Sequence, residues 1–519
     1  MRILHHVSDA APVLWSVFCR LVCRWFLVVV AGVAVVWPVR AQVVEPLRTF
    51  TDRDGRKMEA RVVSMEGGSV KIERADGTVF TVEAGIFSGA DQAFLDEWKK
   101  RTAVVRPPLG ATGSPGASAN AGVTWQALNE ALGQPLWQGP GLLWEEKVAA
   151  VAERLRWPKE SRTVLQESFR SYPGASYRLA GARPFSAALY GEQGWPTSLS
   201  LVFANRGDFF GARGSGEEHF EREEALPKDA LARLNAAIEA DARAIADTLG
   251  GVLGEPEKQN YGEGESRRRV RRWDWLGHAF LLSEEADQYV GLVVVPSAFA
   301  DLRGRTARVS DATVRERLRA ALERRDSGDV VIKDLPMVDQ GPKGYCVPAT
   351  CERAMRHVGM PADMYLLAVA GGSGLGGGTS VQRTLETIGR DLKRKGRSFE
   401  RFDGPVSLKK LMPYLEKGLP VLWMMDSTPE FNELANRRTA ARRTVTDWAA
   451  WKSAVDGDPD ATALTRNGQH GHCTMIVGFN KETGEIAFSD SWGERYTERW
   501  VCARAAQAVS MGEFYVIGL

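Results

Sequence analysis

A chain of 519 residues is too long for one typical core, and a composition of 44% hydrophobic and 25% charged residues is that of globular protein able to bury several. A net charge of +2 argues neither for nucleic acid nor for an acidic surface as partner. The expected class is multidomain α+β.

Residues 1–41 read as a secretory signal. Arg2, Arg20 and Arg24 precede the apolar run 25–37, and small residues before Gln42 place the cleavage after Ala41. An uncleaved anchor is the alternative, although the run is short for a membrane span. The mature protein is therefore expected outside the cytoplasm (periplasm or extracellular), with no stable membrane span. It keeps Cys346, Cys351, Cys473 and Cys502. An oxidising compartment allows either one disulfide among those not used in chemistry or free buried thiols.

Residues 42–100 form the next unit. The runs 58–65, 69–74 and 79–83 alternate between Gly-containing turns, which predicts a small antiparallel barrel closed by a helix ending near Lys100. Phe50-Thr51-Asp52-x-Asp54-Gly55-Arg56, Val70-Lys71-Ile72 and Asp91-Gln92-x-Phe94-Leu95 resemble the Sla-one homology domain, an SH3-like barrel. The resemblance implies a module for a short peptide-motif ligand; a packing or spacer role is the other reading. Residues 101–123, rich in Gly, Pro, Ser and Ala, read as a flexible linker.

Residues 124–305 mix helical patterns (124–132, 142–155, 226–249) with strand-like runs (187–190, 198–203, 270–276, 279–282, 289–295), an α+β domain of unknown role. Arg267-Arg268-Arg269 and Arg271-Arg272 read as the solvated side of a strand, paired with Glu263 and Glu265, rather than as a nucleic-acid site. Trp273 and Trp275 alternate as on a buried strand face, and His278 reads as structural. Standing ahead of the last domain, this one has the position of a pro-segment or a substrate-presenting module. A charged helical connector follows over 306–330.

The last domain, 331–519, carries the chemistry. In Asp339-Gln340-Gly341-Pro342-Lys343-Gly344-Tyr345-Cys346 a turn-rich segment runs into a helical pattern with a cysteine at the junction. A helix N-terminus favours thiolate over thiol, and its free N–H groups, with a nearby Gln amide, can hold an oxyanion. Val347, Cys351, Ala354, Met355 and Val358 recur at helical spacing, with Pro348 in the first turn and Gly359 as the stop. The glycine-rich stretch 371–380 reads as a loop lining the substrate cleft; 418–425 reads as a central strand, and 430–451 as a polar helical insertion. Downstream, Gly471-His472-Cys473-Thr474-Met475-Ile476-Val477-Gly478-Phe479 and Ile486-Ala487-Phe488-Ser489 form a predicted hairpin that brings His472 toward Asp490. The imidazole can take the thiol proton and the carboxylate can fix its tautomer. His470 is a rival base, placed in the preceding loop. A zinc site from Cys346, Cys351, His472 and Cys473 lacks a Cys-x-x-Cys pair, so neither metal nor cofactor is expected.

Gln340 six residues before Cys346, a histidine opening a strand that ends in Val-Gly-Phe, and an acid before Ser491-Trp492-Gly493 resemble the papain-like cysteine peptidase clan. Asp490, where papain itself has Asn, and Cys-x-Pro-Ala-Thr make 331–519 most similar to the bacteriocin-processing, double-glycine-leader branch. The resemblance implies Cys346 as nucleophile, His472 as base, Asp490 as its orienting partner, Gln340 as oxyanion donor and Trp492 as a shield, with Gly344 and Tyr345 beside the substrate. Gly344-Tyr345-Cys346-Val347 departs from the papain pattern around the nucleophile. The implied activity is cleavage of a peptide or protein substrate. A non-catalytic scaffold, and an amidase or transpeptidase on cell-wall peptides, are the alternatives.

Overall fold

The computed structural model describes residues 47–66, 68–74, 78–102, 120, 122–212, 214–220 and 225–519. The signal expected over 1–41 and most of the linker expected over 101–123 lie outside the described residues.

The first sheet is an antiparallel meander, β1 (Arg48–Thr51), β2 (Lys57–Glu66), β3 (Ser69–Arg74) and β4 (Val79–Glu83), in that order, followed by α1 (Gly89–Thr102). Phe50, Ala60, Val62, Val70, Ile72, Phe87 and Leu95 make its core. The Asp91 carboxylate ties helix to strand, accepting from Thr51 N at 2.8 Å and Arg48 Nη2 at 2.7 Å. Among the described residues β1 does not pair with β4; Asp52 bridges Phe87 instead.

The middle region opens with α2 (Trp125–Leu132) and α3 (Val148–Leu155). Eight strands follow: β5 (Lys159–Arg162), β6 (Gln166–Ser171), β7 (Ser186–Glu192), β8 (Trp195–Asn205), β9 (Glu257–Tyr261), β10 (Arg268–Trp275), β11 (His278–Glu285) and β12 (Tyr289–Pro296). They form one antiparallel sheet in the order β5-β6-β7-β8-β12-β11-β10-β9. Between β8 and β9 runs α4 (Ala230–Leu253), whose Leu234, Ile238, Ala242, Ile245, Leu249 and Leu253 recur every three or four residues and are buried. That stripe packs on the sheet face bearing Trp273, Trp275, Phe280 and Leu292. His278 is structural: its Nε2 accepts from Trp137 Nε1 at 3.2 Å and Leu143 N at 3.0 Å. The expected pairing of the arginine run differs. Arg271 pairs with Glu284 and Arg272 with Asp274 and Asp301, while Glu263 pairs with Lys395 from the last domain. The strands put Asp274 and Glu284 beside the arginines and α5 brings Asp301, whereas Glu263 sits beyond a turn. The sheet leads into α5 (Ser297–Asp301) and α6 (Asp311–Ala320).

The last domain is built on β13 (Leu322–Arg324), β14 (Asp329–Ile332), α7 (Cys346–His357), α8 (Met364–Gly371), α9 (Val381–Arg394), β15 (Ser398–Asp403), α10 (Leu408–Leu415), β16 (Val421–Asp426), α11 (Pro429–Arg442), α12 (Trp448–Asp456), α13 (Pro459–Ala463), β17 (Gly471–Asn480), β18 (Glu485–Ser489), β19 (Arg499–Cys502), α14 (Ala503–Val509) and β20 (Ser510–Gly518). Its sheet runs β13-β14-β17-β16-β20-β15, with β18 and β19 branching from β17. β17 is central: Gly471 to Ile476 pair with β16 and Gly478 to Asn480 with β14, while β18 pairs from Met475 to Asn480. Gly478 permits the branching, because a Cβ there would stand 2.6 Å from Val330 O. Helix α7 lays Val347, Cys351, Ala354, Met355 and Val358, all buried, into the core shared with β17. Among the described residues no helix is long and apolar enough to cross a membrane.

Candidate active site

Cys346 is the first residue of α7, after Tyr345 at the N-cap position, and His472 is the second residue of β17. Two polar side chains fix α7 against the strands. Thr350 Oγ1 donates to Cys473 O at 3.0 Å, and the buried Arg353 Nη2 donates to Ser489 Oγ at 2.6 Å. The helix start and the histidine are thereby held together without a covalent link.

His472 Nε2 donates to Asp490 Oδ1 at 2.9 Å, and both side chains are wholly buried. The other ring nitrogen, Nδ1, has no hydrogen-bond partner in the resting geometry. That leaves it for the Cys346 thiol, whose titration is coupled to the imidazole. Burial alone would raise the Cys346 pKa; the imidazole and the N–H groups of Cys473 and Val347 reverse this and hold it below an ordinary thiol. Burial likewise opposes the imidazolium, yet Asp490 and Cys346 push His472 up to about 9. Burial also works against the Asp490 carboxylate, but Arg499 and His472 hold it well below the usual carboxylate range. The shifts thus all run toward thiolate, imidazolium and carboxylate. The neighbouring thiols contrast with this: burial pushes Cys351 up to about 12 and raises Cys473 as well. All four cysteines of the described residues are free thiols.

The remaining expected residues lie close by. The Trp492 ring stands 4.6 Å from the His472 ring at 30°, nearly stacked, and is itself buried. His470 lies in the loop before β17, its N–H held by Asp426 Oδ1 at 2.9 Å. Gln340 is fully buried, its backbone N–H on Ser491 O at 2.9 Å and its Nε2 donating to Lys343 O at 2.7 Å. Its Oε1 has no partner. Gly344 exchanges backbone hydrogen bonds with Gly376 and Gly378, so the glycine-rich stretch is pressed on the loop that leads into Cys346. Tyr345 is buried and packs edge-on against Tyr365 at 5.7 Å.

Several residues at the site carried no sequence signal. Arg499 on β19 donates to Asp490 Oδ2 from Nε at 3.1 Å and from Nη2 at 2.6 Å, so Oδ1 is left to the histidine. Asn432 of α11 accepts from Nη1 and Nη2 of the same guanidinium at 3.0 Å each. The middle domain contributes His219, from the short 3₁₀ turn Gly216–Phe220, with its ring 5.7 Å from that of His472.

Residues 332–509 match the Peptidase_C39 like family. The protein is a cysteine-type peptidase. Among solved structures, the peptidase domain of Streptococcus ComA, a bi-functional ABC transporter involved in a quorum-sensing pathway, is similar at 12% identity. The match covers 35% of this chain and 96% of that one, with a TM-score of 0.23. No curated protein matches the chain.

Proposed function

We propose that the protein is an exported peptidase working through Cys346, His472 and Asp490. The Cys346 thiolate attacks a peptide carbonyl, the Cys346 N–H and the Gln340 amide hold the oxyanion, and His472 protonates the departing amine. Water, deprotonated by His472, then releases the acyl group from sulfur. The observation that carries this is the division of labour on His472: one nitrogen on Asp490 at 2.9 Å, the other unpartnered and coupled to the thiol.

The test is labelling of the full chain across pH with a thiol-reactive electrophile, with Cys346→Ala and His472→Ala alongside. Labelling at Cys346 well below the pH of a free thiol, lost with His472, is the expected result. A Cys346 that reacts like any ordinary thiol removes the proposal. Export is tested separately, by fractionating cells and sequencing the N-terminus of the recovered protein. Gln42 is expected first.

One observation favours a second reading, a ligand-binding scaffold. Cys346 is 7% exposed and His472 and Asp490 are 0% exposed, so nothing the size of a peptide reaches them in this conformation. In that case Cys346 does not turn over substrate under any condition.

A further inference from the structure

The burial of the site has a definite source. From the middle domain, the turn Gly216–Phe220 lies on the histidine side: the His219 ring is 5.4 Å from Trp492 and 5.7 Å from His472, and the Phe220 ring is 5.2 Å from His470 and 6.1 Å from His472. Glu217 Oε1 accepts from Asn436 Nδ2 at 2.8 Å and stands 3.5 Å from Arg499 Nη1, the guanidinium that holds Asp490. The His219 Nδ1 is turned back onto Gly216 O at 2.6 Å, and the ring packs tilted against His472 and Trp492.

The cysteine side is held by the segment after β8. Asp208 Oδ1 accepts from Lys343 Nζ at 3.0 Å, and Oδ2 from Tyr365 Oη at 2.9 Å. The two backbones touch: a Cβ on Gly207 would stand 2.4 Å from the Tyr345 ring, and one on Gly211 2.4 Å from Pro342 O. Gly376 N donates to Arg206 O at 2.8 Å. A scissile carbonyl must come within about 3–3.5 Å of the thiolate, with chain continuing on either side. Middle-domain residues hold the catalytic loop on the cysteine side and cover the histidine on the other.

We propose that the middle domain is a built-in inhibitor of the peptidase, with Gly216–Phe220 as a plug that must withdraw from His472 before a peptide can reach Cys346. This rests on the catalytic reading of Cys346 and His472. The two contacts differ in kind. The Asp208–Lys343 pair, with side chains 2% and 0% exposed, anchors the domain. Among the described residues, the plug is a five-residue turn held by ring packing, the Glu217–Asn436 hydrogen bond and the long Glu217–Arg499 ion pair. Such contacts open at low cost, and local openings of this type gate access in many proteins.

The test compares the full chain with a His219→Gly, Phe220→Ala double variant and with the milder Glu217→Ala. Two rates of Cys346 alkylation are measured: with iodoacetamide, and with a peptidyl chloromethyl ketone that needs the cleft. Melting curves check that each variant is folded. The double variant is expected to react at least about tenfold faster with the peptidyl reagent, because the open fraction sets the apparent rate. Glu217→Ala is expected to give a smaller gain, and iodoacetamide to change less in both. If both variants react with the peptidyl reagent at the wild-type rate while labelling still requires His472, the inhibitor proposal is overturned and the catalytic reading stands. If labelling in every variant is indifferent to His472→Ala, the catalytic reading fails and the proposal falls with it.

Discussion

Arg499 grips one oxygen of Asp490 through two nitrogens, at 2.6 and 3.1 Å, while His472 takes the other oxygen at 2.9 Å. The carboxylate therefore cannot rotate without breaking a charge-assisted hydrogen bond. It also remains ionised although fully buried, because a buried anion needs a partner of opposite charge. In the proposed mechanism Arg499 is a positioning residue, acting on the reaction through Asp490.

Replacing Arg499 by Gln is expected to lower kcat by about 10²-fold with KM nearly unchanged, the effect of misplacing a catalytic group by a fraction of its reach. Lys at the same position keeps the charge but not the fork, and is expected to recover part of the loss. Steady-state kinetics on the folded variants decides it. Equal kcat in wild type and Arg499→Gln removes the positioning role.

The pH dependence follows from the two shifts at the dyad. The Cys346 pKa is lowered, so the thiolate is present at a pH where a free thiol is protonated, and it is lost as pH falls through that lowered value. His472 is raised to about 9, so the imidazolium persists through neutrality and is lost as pH rises through about 9. The rate is expected to fall on the acid side as the Cys346 thiolate is protonated and on the alkaline side as His472 loses its proton through about 9. A kcat/KM profile rising steadily up to pH 9 contradicts this assignment.

Gln340 acts on a different quantity. In the proposed mechanism, removing its amide takes away a transition-state donor while leaving the thiol and imidazole in place. Gln340→Ala is expected to lower kcat by about 10²- to 10³-fold. The pH at which Cys346 becomes alkylated is expected to stay where it is. A shift in that pH would mean that the glutamine positions the thiol instead.

The buried pair Lys343–Asp208 predicts a stability effect. Lys343→Met strands the Asp208 carboxylate in the interface and is expected to cost about 3–5 kcal/mol. Adding Asp208→Asn removes the stranded charge and is expected to restore part of it. Denaturant melts of the single and double variants measure both, and a single variant as stable as the wild type would count against the anchor.

Much of the candidate site's geometry was legible because its signals are local. The spacing of Val347, Cys351, Ala354, Met355 and Val358 places a helix, and the helix start places Cys346. The turn between β17 and β18 pairs Met475 with Ser489, and that register brings His472 within reach of Asp490. Arg499 was not legible, since an arginine on a short strand looks like any solvated charge until the fold buries it. Asn432 fell in what read as a polar insertion; α11 carries it inward to the guanidinium. His219 comes from another domain, and no periodicity links it to His472. The pairing expected of Glu263 with the arginine run failed for a related reason: Lys395, its actual partner, is distant in sequence.

The order of the chain adds a consequence to the placement of Gly216–Phe220 over His472. Proteins are made from the N-terminus, and domains settle in that order as synthesis proceeds. The segment that covers the histidine is therefore complete long before the histidine itself is made. When β17 finally enters its sheet, the turn that packs on the His472 ring has already been made.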